Sequence, residues 1–278
     1  MKIKDVLKDR SLWLNKRYEV FNYYRQEMIE KTRKDPEWIH FGCGNFFRAF
    51  EAVYCDRLLD EGVLEKGVVA VSGRNTDIID TYYRAFDDLY IAVTIKSDGT
   101  INKRVVGSIA ESLKISDEER LKEIFAKESL QVASFTITRR GYLINKDNTY
   151  FQSIVSCLYH RYQNGGYPLT MSSHDSFEDN GAILKRAVNY WAVKYNDPDF
   201  LKYIEEKVSF PTSMIDKMVA PPDKTIGEIL KKDGVEDISE LDPDFYLNCY
   251  CNGEEVEYLF IEDDFRNGRP AWNNVTFF

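Results

Sequence analysis

The apolar positions of this chain fall in short unbroken runs separated by amphipathic stretches, the alternation expected of a parallel sheet wrapped by helices. Trp38 to Phe41 is the first such run. It ends in a glycine turn, Gly42-Cys43-Gly44, followed by the opening of a helix. Phe50, Val53, Tyr54 and Leu58 recur at helical spacing, and Gly62 closes that helix as a C-terminal cap. Gly67 to Ser72 then reads as a strand buried on both faces, so the segment forms a βαβ unit. Asn75 or Thr76 is placed to cap a helix carrying Ile78, Ile79, Tyr82 and Tyr83. Leu89 to Ile95 is the next strand, and Ser97-Asp98-Gly99-Thr100 turns the chain into a hairpin strand ending near Ile109.

The alternation continues. Ser116-Asp117-Glu118-Glu119 reads as a capping box opening a helix to about Lys127, and Val132 to Ile137 as another buried strand. Ile154 to Tyr162 follows as a helix stopped by Gly165-Gly166, then Pro168 to Ser172 as a strand and Ala182 to Val193 as a helix. Phe210-Pro211, Pro221-Pro222 and two β-rich runs, Phe245 to Cys251 and Glu255 to Ile261, change the character of the last part to added strands. Residues 1–35 form a polar, mostly helical lead-in whose Trp13, Tyr18, Phe21, Tyr23 and Tyr24 are available to pack on the body. The prediction is an α/β, Rossmann-like doubly wound, mostly parallel sheet over residues 36–278 with a β-rich C-terminal segment.

Composition narrows the function. With 278 residues the chain fits one large domain with a small appendage, and a net charge of −9 argues against a nucleic-acid partner. The charged N-terminus and the lack of an apolar run near the roughly 18 residues a bilayer crossing needs predict a cytoplasmic protein without membrane contact. Five cysteines without a C-x-x-C pair read as reduced thiols. His40, His160 and His174 are not spaced with a cysteine pair, and no metal site is predicted.

A strand, a tight glycine turn and a helix N-terminus together suit a dinucleotide pyrophosphate. Gly42 permits the turn, Gly44 lets the backbone approach the phosphates, and the free N–H groups of the helix favour negative charge. The G-x-G-x-x-G fingerprint is incomplete, since Phe47 stands at its third glycine, and a plain strand-to-helix turn is the alternative. At the end of the second strand an acid would hold a ribose 2′-OH, whereas a small residue with a nearby Arg accommodates a 2′-phosphate. Ser72-Gly73-Arg74 occupies that place, with Asp77 further on, leaving NAD and NADP both open and a solvated Arg74 as the third reading.

Several separated motifs converge on one family. Phe41-Gly42-Cys43-Gly44-Asn45-Phe46-Phe47-Arg48-Ala49-Phe50, Phe135-Thr136-Ile137-Thr138 with Gly141-Tyr142, Asn180-Gly181, Phe210 to Lys217, and Ile261-Glu262-Asp263-Asp264-Phe265 with Gly268-Arg269-Pro270 resemble the mannitol dehydrogenase family. That family includes fructuronate and tagaturonate reductases, metal-free enzymes that move hydride between a nicotinamide and a sugar carbon. The resemblance spans about residues 36 to 273, and the family's turn reads G-x-G-N-F-x-R, which accounts for the missing third glycine. It implies that Gly42, Gly44, Asn45, Phe46 and Arg48 bind the cofactor, with core packing the other reading of Phe46; Thr138, and Arg74 and Asp77 from their place after the second strand, complete the candidate cofactor set, family habit favouring NAD and the residues after the strand NADP. It implies that Asn180 and Asp216 face a polyol, ketose or uronate substrate; a turn-forming Asn-Gly and a helix-capping aspartate are their plainer readings.

The departures are specific. The family's catalytic lysine lies in a K-x(4)-N-x(2)-H motif on a helical second domain, and no Lys, Asn and His at that spacing occurs here. The family's glutamate after T-x-T is Arg139, and its D-N pair before Asn-Gly is Asp175-Ser176. The resemblance therefore implies the cofactor-binding part of an NAD(P)-dependent oxidoreductase, with no catalytic residue of its own and a helical catalytic domain or subunit as partner. The alternative is a catalytically silent protein that binds a nucleotide or sugar acid.

Overall fold

The computed structural model describes residues 1–144, 149–217, 219, 224–236, 250–254 and 258–261. Helical turns at Ile3–Leu7 and Ser11–Asn15 precede helix α1, Arg25–Lys34. Trp13, Tyr18 and Phe21 are buried, whereas Tyr24 is 83 % exposed. Strand β1, Trp38–Phe41, leads through the glycine turn into α2, Asn45–Ala49, and α3, Glu51–Asp60, and then into β2, Val68–Ser72. The single helix expected after the turn is broken at Phe50, where φ is −123° and ψ is −83°. Helix α3 buries two carboxylates, Glu51 and Asp56, beside Ala52, Val53 and Leu59. Asp56 accepts hydrogen bonds from the Tyr23 hydroxyl at 2.6 Å, Arg104 Nε at 2.7 Å and the Gly107 N–H at 2.8 Å. One carboxylate thus ties the lead-in and the following hairpin to α3. Burial nevertheless pushes its pKa up against the pull of Arg104.

Strands β3, Tyr90–Ile95, and β4, Ile101–Val106, form the expected antiparallel hairpin, with Tyr90 opposite Val106. The hairpin strand ends earlier than expected, at Val106. The Gly107 N–H turns to Asp56 and the Ser108 hydroxyl to the Ala52 carbonyl, and these contacts to α3 take the chain off the ladder. A separate strand β5, Ile109–Lys114, then joins β2 in parallel, pairing Val71 with Leu113. Two capping expectations also fail. Residues 79–83 make one wide helical turn whose N-cap position falls on Ile78, beyond the reach expected for Asn75 or Thr76. The box expected over Ser116 to Glu119 does not form, since the N-cap of α4, Glu118–Ala126, is Asp117, whose carboxylate accepts from the Lys114 N–H at 3.0 Å and makes no cap bond.

Beyond these come β6, Val132–Phe135; α5, Tyr150–Gln163; β7, Leu169–Ser173; α6, Asn180–Ala192; and α7, Pro198–Lys207. The last described elements are β8, Val208–Ser209; β9, Ser213–Asp216; α8, Lys224–Asp233; β10, Tyr250–Glu254; and β11, Tyr258–Ile261. Helices α7 and α8 were not anticipated, although Asp197 caps α7 by accepting from the N–H groups of Asp199 and Phe200. The main sheet runs β5-β2-β1-β6-β7-β8, all parallel, with apolar clusters packed against its strands. This is the expected Rossmann-like doubly wound arrangement. Added strands do follow: β10 extends the hairpin sheet alongside β3, and β9 pairs antiparallel with β11. The remainder of the predicted run from Phe245 to Cys251 lies outside the described residues.

Candidate functional site

The order of the main sheet reverses between β1 and β6, since the chain proceeds from β1 outward to β2 and β5, then returns to β6 on the other side. Open α/β sheets place ligands in the crevice beyond the strand ends at such a point. Here it holds a cavity of about 380 Å³. One wall is the glycine turn with Asn45 and Arg48, another is Ser72 to Asn75 after β2, and a third is Thr136 to Thr138 after β6. Gly42 has φ +129°, and a Cβ there would stand 2.2 Å from the Thr136 carbonyl oxygen, so the turn must cross β6 without a side chain. Its N–H donates to the Val71 carbonyl at 2.9 Å. A Cβ on Gly44 meets nothing within 4 Å. The backbone is therefore open there.

Among the residues assigned by sequence to the cofactor, Gly42, Gly44, Asn45, Arg48, Arg74 and Thr138 are brought together on this cavity. Arg48 is only 3 % exposed; its guanidinium donates to Asn45 Oδ1 at 2.8 Å and lies 5.6 Å over the Tyr90 ring. Both side chains are thus oriented in advance. Phe46 is not part of the lining: its ring packs edge-on against Phe50 in a cluster with Tyr54, Leu58 and Ile215. Asp77 is exposed and also outside the lining. Asn180 is fully buried, its amide nitrogen donating to the Asp175 and Ser213 carbonyls at 3.0 and 2.9 Å while its oxygen accepts from the Ser213 N–H at 2.9 Å. Asp216 ends β9, and its side chain lies outside the described residues.

Two arrangements at the walls carry no mark in the sequence: the clamp on Thr138 and a buried trio behind the glycine turn. Thr138 adopts φ +62°, a left-handed conformation unfavourable for a β-branched residue. Asp175 holds it there, accepting from the Ile137 and Thr138 N–H groups at 3.0 and 2.9 Å and from the Tyr142 hydroxyl at 2.8 Å. Burial pushes the Asp175 pKa up despite these bonds. Behind the glycine turn lies a buried trio from three elements. Glu51 Oε1 is 2.7 Å from His174 Nδ1, and Glu51 Oε2 is 3.5 Å from His40 Nε2. Burial alone would raise the Glu51 pKa, but the two imidazoles outweigh it and hold the carboxyl below its ordinary value. For His40 burial wins over the attraction of Glu51, and its pKa falls from 6.5 to about 4.

Acid should therefore weaken the fold through His40. The unfolded chain takes up a proton on this imidazole below pH 6.5, whereas the folded chain does so only near pH 4. Its contribution is complete above the higher value and lost as pH falls toward the lower. The expected loss between pH 7.5 and 4.5 is about 2–3 kcal/mol from this group. Urea denaturation of the wild type and His40→Gln at both pH values isolates it: the variant should lack that part of the acid sensitivity, and equal sensitivity in the two proteins would refute the assignment.

Known proteins resemble this chain in sequence and share its fold. The mannitol dehydrogenase Rossmann domain family matches residues 36–274. A D-mannonate oxidoreductase of Thermotoga maritima is 37 % identical over 96 % of this chain and 55 % of its own length. A polyol:NADP oxidoreductase of Gluconobacter oxydans is 30 % identical over 84 % of this chain and 51 % of its own length. The crystal structure of a D-sorbitol dehydrogenase in substrate-free form covers 92 % of this chain and 54 % of that one, with a TM-score of 0.74 at 25 % identity. Pseudomonas fluorescens mannitol 2-dehydrogenase, in a ternary complex with NAD and D-mannitol, shares the fold over 99 % of this chain and 57 % of its own, with a TM-score of 0.78 at 24 % identity. The chain spans about half the length of the curated relatives it matches. No helix among the described residues is long and apolar enough to cross a membrane. With its glycine turn, reversed sheet order and match over residues 36–274, the chain belongs to the mannitol dehydrogenase family.

Proposed function

We propose that this chain is the dinucleotide-binding part of an NAD(P)-dependent oxidoreductase that moves hydride between a nicotinamide and a polyol, ketose or keto-uronate. The observation that carries the reading is the cavity beyond β1, β2 and β6, lined by a glycine turn whose Gly42 is in a left-handed conformation and whose Gly44 is open. Its size lies in the range of small-molecule sites. The fit to a dinucleotide is chemical as well as spatial: Gly44 lets the backbone approach a pyrophosphate, and Arg48 and Arg74 supply positive charge on the lining. When bound, the nicotinamide supplies or accepts the hydride; the residues here hold and orient it. On the substrate side we assign Asn180 and Asp216, with Asn180 fixing Ser213 at the start of the strand that ends in Asp216. The relatives named as D-mannonate and polyol oxidoreductases support this substrate class. A helical catalytic domain or subunit would supply the lysine that takes the alcohol proton.

Calorimetric titration with NADH and NADPH tests the reading, and failure to bind either would end it. The same titration addresses coenzyme choice. Arg74 is exposed on the lining with no ion-pair partner among the described residues, and no acid stands at the end of β2. If Arg74 pairs a 2′-phosphate, Arg74→Ala should weaken NADPH about tenfold or more, the size of a charge-assisted bond, and NADH much less. Equal weakening, or none, would make Arg74 a surface charge.

A further inference from the structure

His40, Glu51 and His174 are 0 %, 3 % and 1 % exposed, and the hydride-transfer reading uses none of them. Three ionisable groups in one dry cluster are costly to bury unless their bonds are complete. Both ring nitrogens of His40 are engaged. Nδ1 is 2.7 Å from Ser134 Oγ, and Nε2 is 2.7 Å from Thr136 Oγ1. The ring plane is fixed by Phe47, stacked at 4.2 Å and 9°. Among the described residues no group of His, Cys, Asp or Glu could hold a metal ion, so the cluster needs another explanation.

The partners select one tautomer. Ser134 Oγ already accepts the Trp38 indole N–H at 2.7 Å, which leaves its own hydrogen for His40 Nδ1. Thr136 donates its hydroxyl hydrogen to the Gly42 carbonyl at 3.3 Å, which leaves its lone pairs for an Nε2–H. Glu51 Oε2 at 3.5 Å also favours a hydrogen on Nε2, since a bare lone pair there would face a carboxylate. The bonds therefore run in one direction, from Trp38 through Ser134, His40 and Thr136 to the carbonyl of Gly42. That carbonyl belongs to the turn that bounds the cavity. Glu51 adds a cross-tie to His174, whose neighbour Asp175 clamps Thr138 on the opposite wall.

We infer that His40 is a positioning residue that, as its Nε2–H tautomer, holds the glycine turn in place through Thr136. The consequence for coenzyme binding rests on the dinucleotide reading; the effect on the turn does not. A residue that merely fills the core would be indifferent to which nitrogen is kept, whereas this chain of bonds is not.

The full 278-residue chain carries the test. His40→Gln sets an amide N–H near the position of Nε2 and keeps the bond to Thr136. His40→Asn reaches only toward Ser134 and loses it. Thr136→Val deletes the hydroxyl between ring and turn. Amide hydrogen exchange over peptides spanning Gly42 to Arg48, without ligand, should rise about tenfold in His40→Asn and Thr136→Val, the effect of one hydrogen bond, and stay near wild type in His40→Gln. NADH or NADPH affinity should fall in the same order. Thermal melts identify a histidine variant that does not fold, and Thr136→Val then decides. Equal exchange in the Gln and Asn variants, or unchanged exchange in Thr136→Val, overturns the proposal. The expected exchange pattern in a chain that binds neither nucleotide supports the positioning role and overturns only the coenzyme reading.

Discussion

Replacing Arg161 with methionine is expected to leave a chain that does not fold. Arg161 is 0 % exposed, and its guanidinium bonds five backbone carbonyls: Nε donates to Tyr167, one terminal nitrogen to Phe125 and Lys127, and the other to Leu130 and Pro168, all between 2.6 and 2.9 Å. The five acceptors lie around the end of α4, the approach to β6 and the entry to β7. One side chain on α5 therefore sets how α4, β6 and β7 meet. A buried ion pair can often be exchanged for apolar residues at little cost, because both charges leave together. Here the partners are main-chain groups that no substitution removes. Each bond from a charged donor contributes about 1.5–3 kcal/mol, so losing five approaches the roughly 5–15 kcal/mol stability of a typical domain, even though the Tyr203 hydroxyl still serves Tyr167 and the Leu130 N–H still serves Lys127. Arg161→Lys keeps the charge but has three donors on one nitrogen, and should lose about 2–4 kcal/mol. Urea denaturation followed by circular dichroism measures both. A methionine variant within about 1 kcal/mol of wild type would show that the carbonyls are solvated by other means.

Nothing in the sequence around Arg161 announces this role, and the reason is general to what was and was not legible. Trp38 to Phe41, the glycine turn and Gly67 to Ser72 could be read because each is dictated by neighbours a few residues away. The break at Phe50 could not, since the same apolar spacing runs through it. The strand Ile109–Lys114 was hidden because a lone Gly107-Ser108 pair between Val105-Val106 and Ile109-Ala110 need not interrupt a strand, and only contacts from those two residues to α3 divide it. In the site, the glycines and Arg48 were legible as a local motif. His40, Glu51 and His174 were not. They stand on β1, α3 and the end of β7, with no spacing that marks them, and become a cluster only when β1 and β7 flank β6. Asn180 illustrates the reverse: the resemblance implies a substrate contact there, and the structure shows its amide bonded to the main chain on both its nitrogen and its oxygen.

Gly44→Val is expected to fold normally and lose the dinucleotide. The residue has φ −80° and ψ −177°, a conformation open to any side chain, and a Cβ built there meets nothing within 4 Å. The protein itself thus has no need of glycine at this position. Valine at the start of α2 should change stability by no more than about 1 kcal/mol. A ligand does have such a need, because Gly44 lines the cavity and the pyrophosphate must approach its backbone. A β-branched side chain in that space should weaken NADH and NADPH alike by at least about 100-fold, or about 2.7 kcal/mol. Gly42 provides the contrast. With φ +129° and a Cβ position 2.2 Å from the Thr136 carbonyl oxygen, Gly42→Val should damage fold and binding together. Thermal melts beside calorimetric titrations separate the two variants. If Gly44→Val binds either nucleotide as wild type does, the pyrophosphate does not sit on this turn, and the cavity must be assigned to a different ligand.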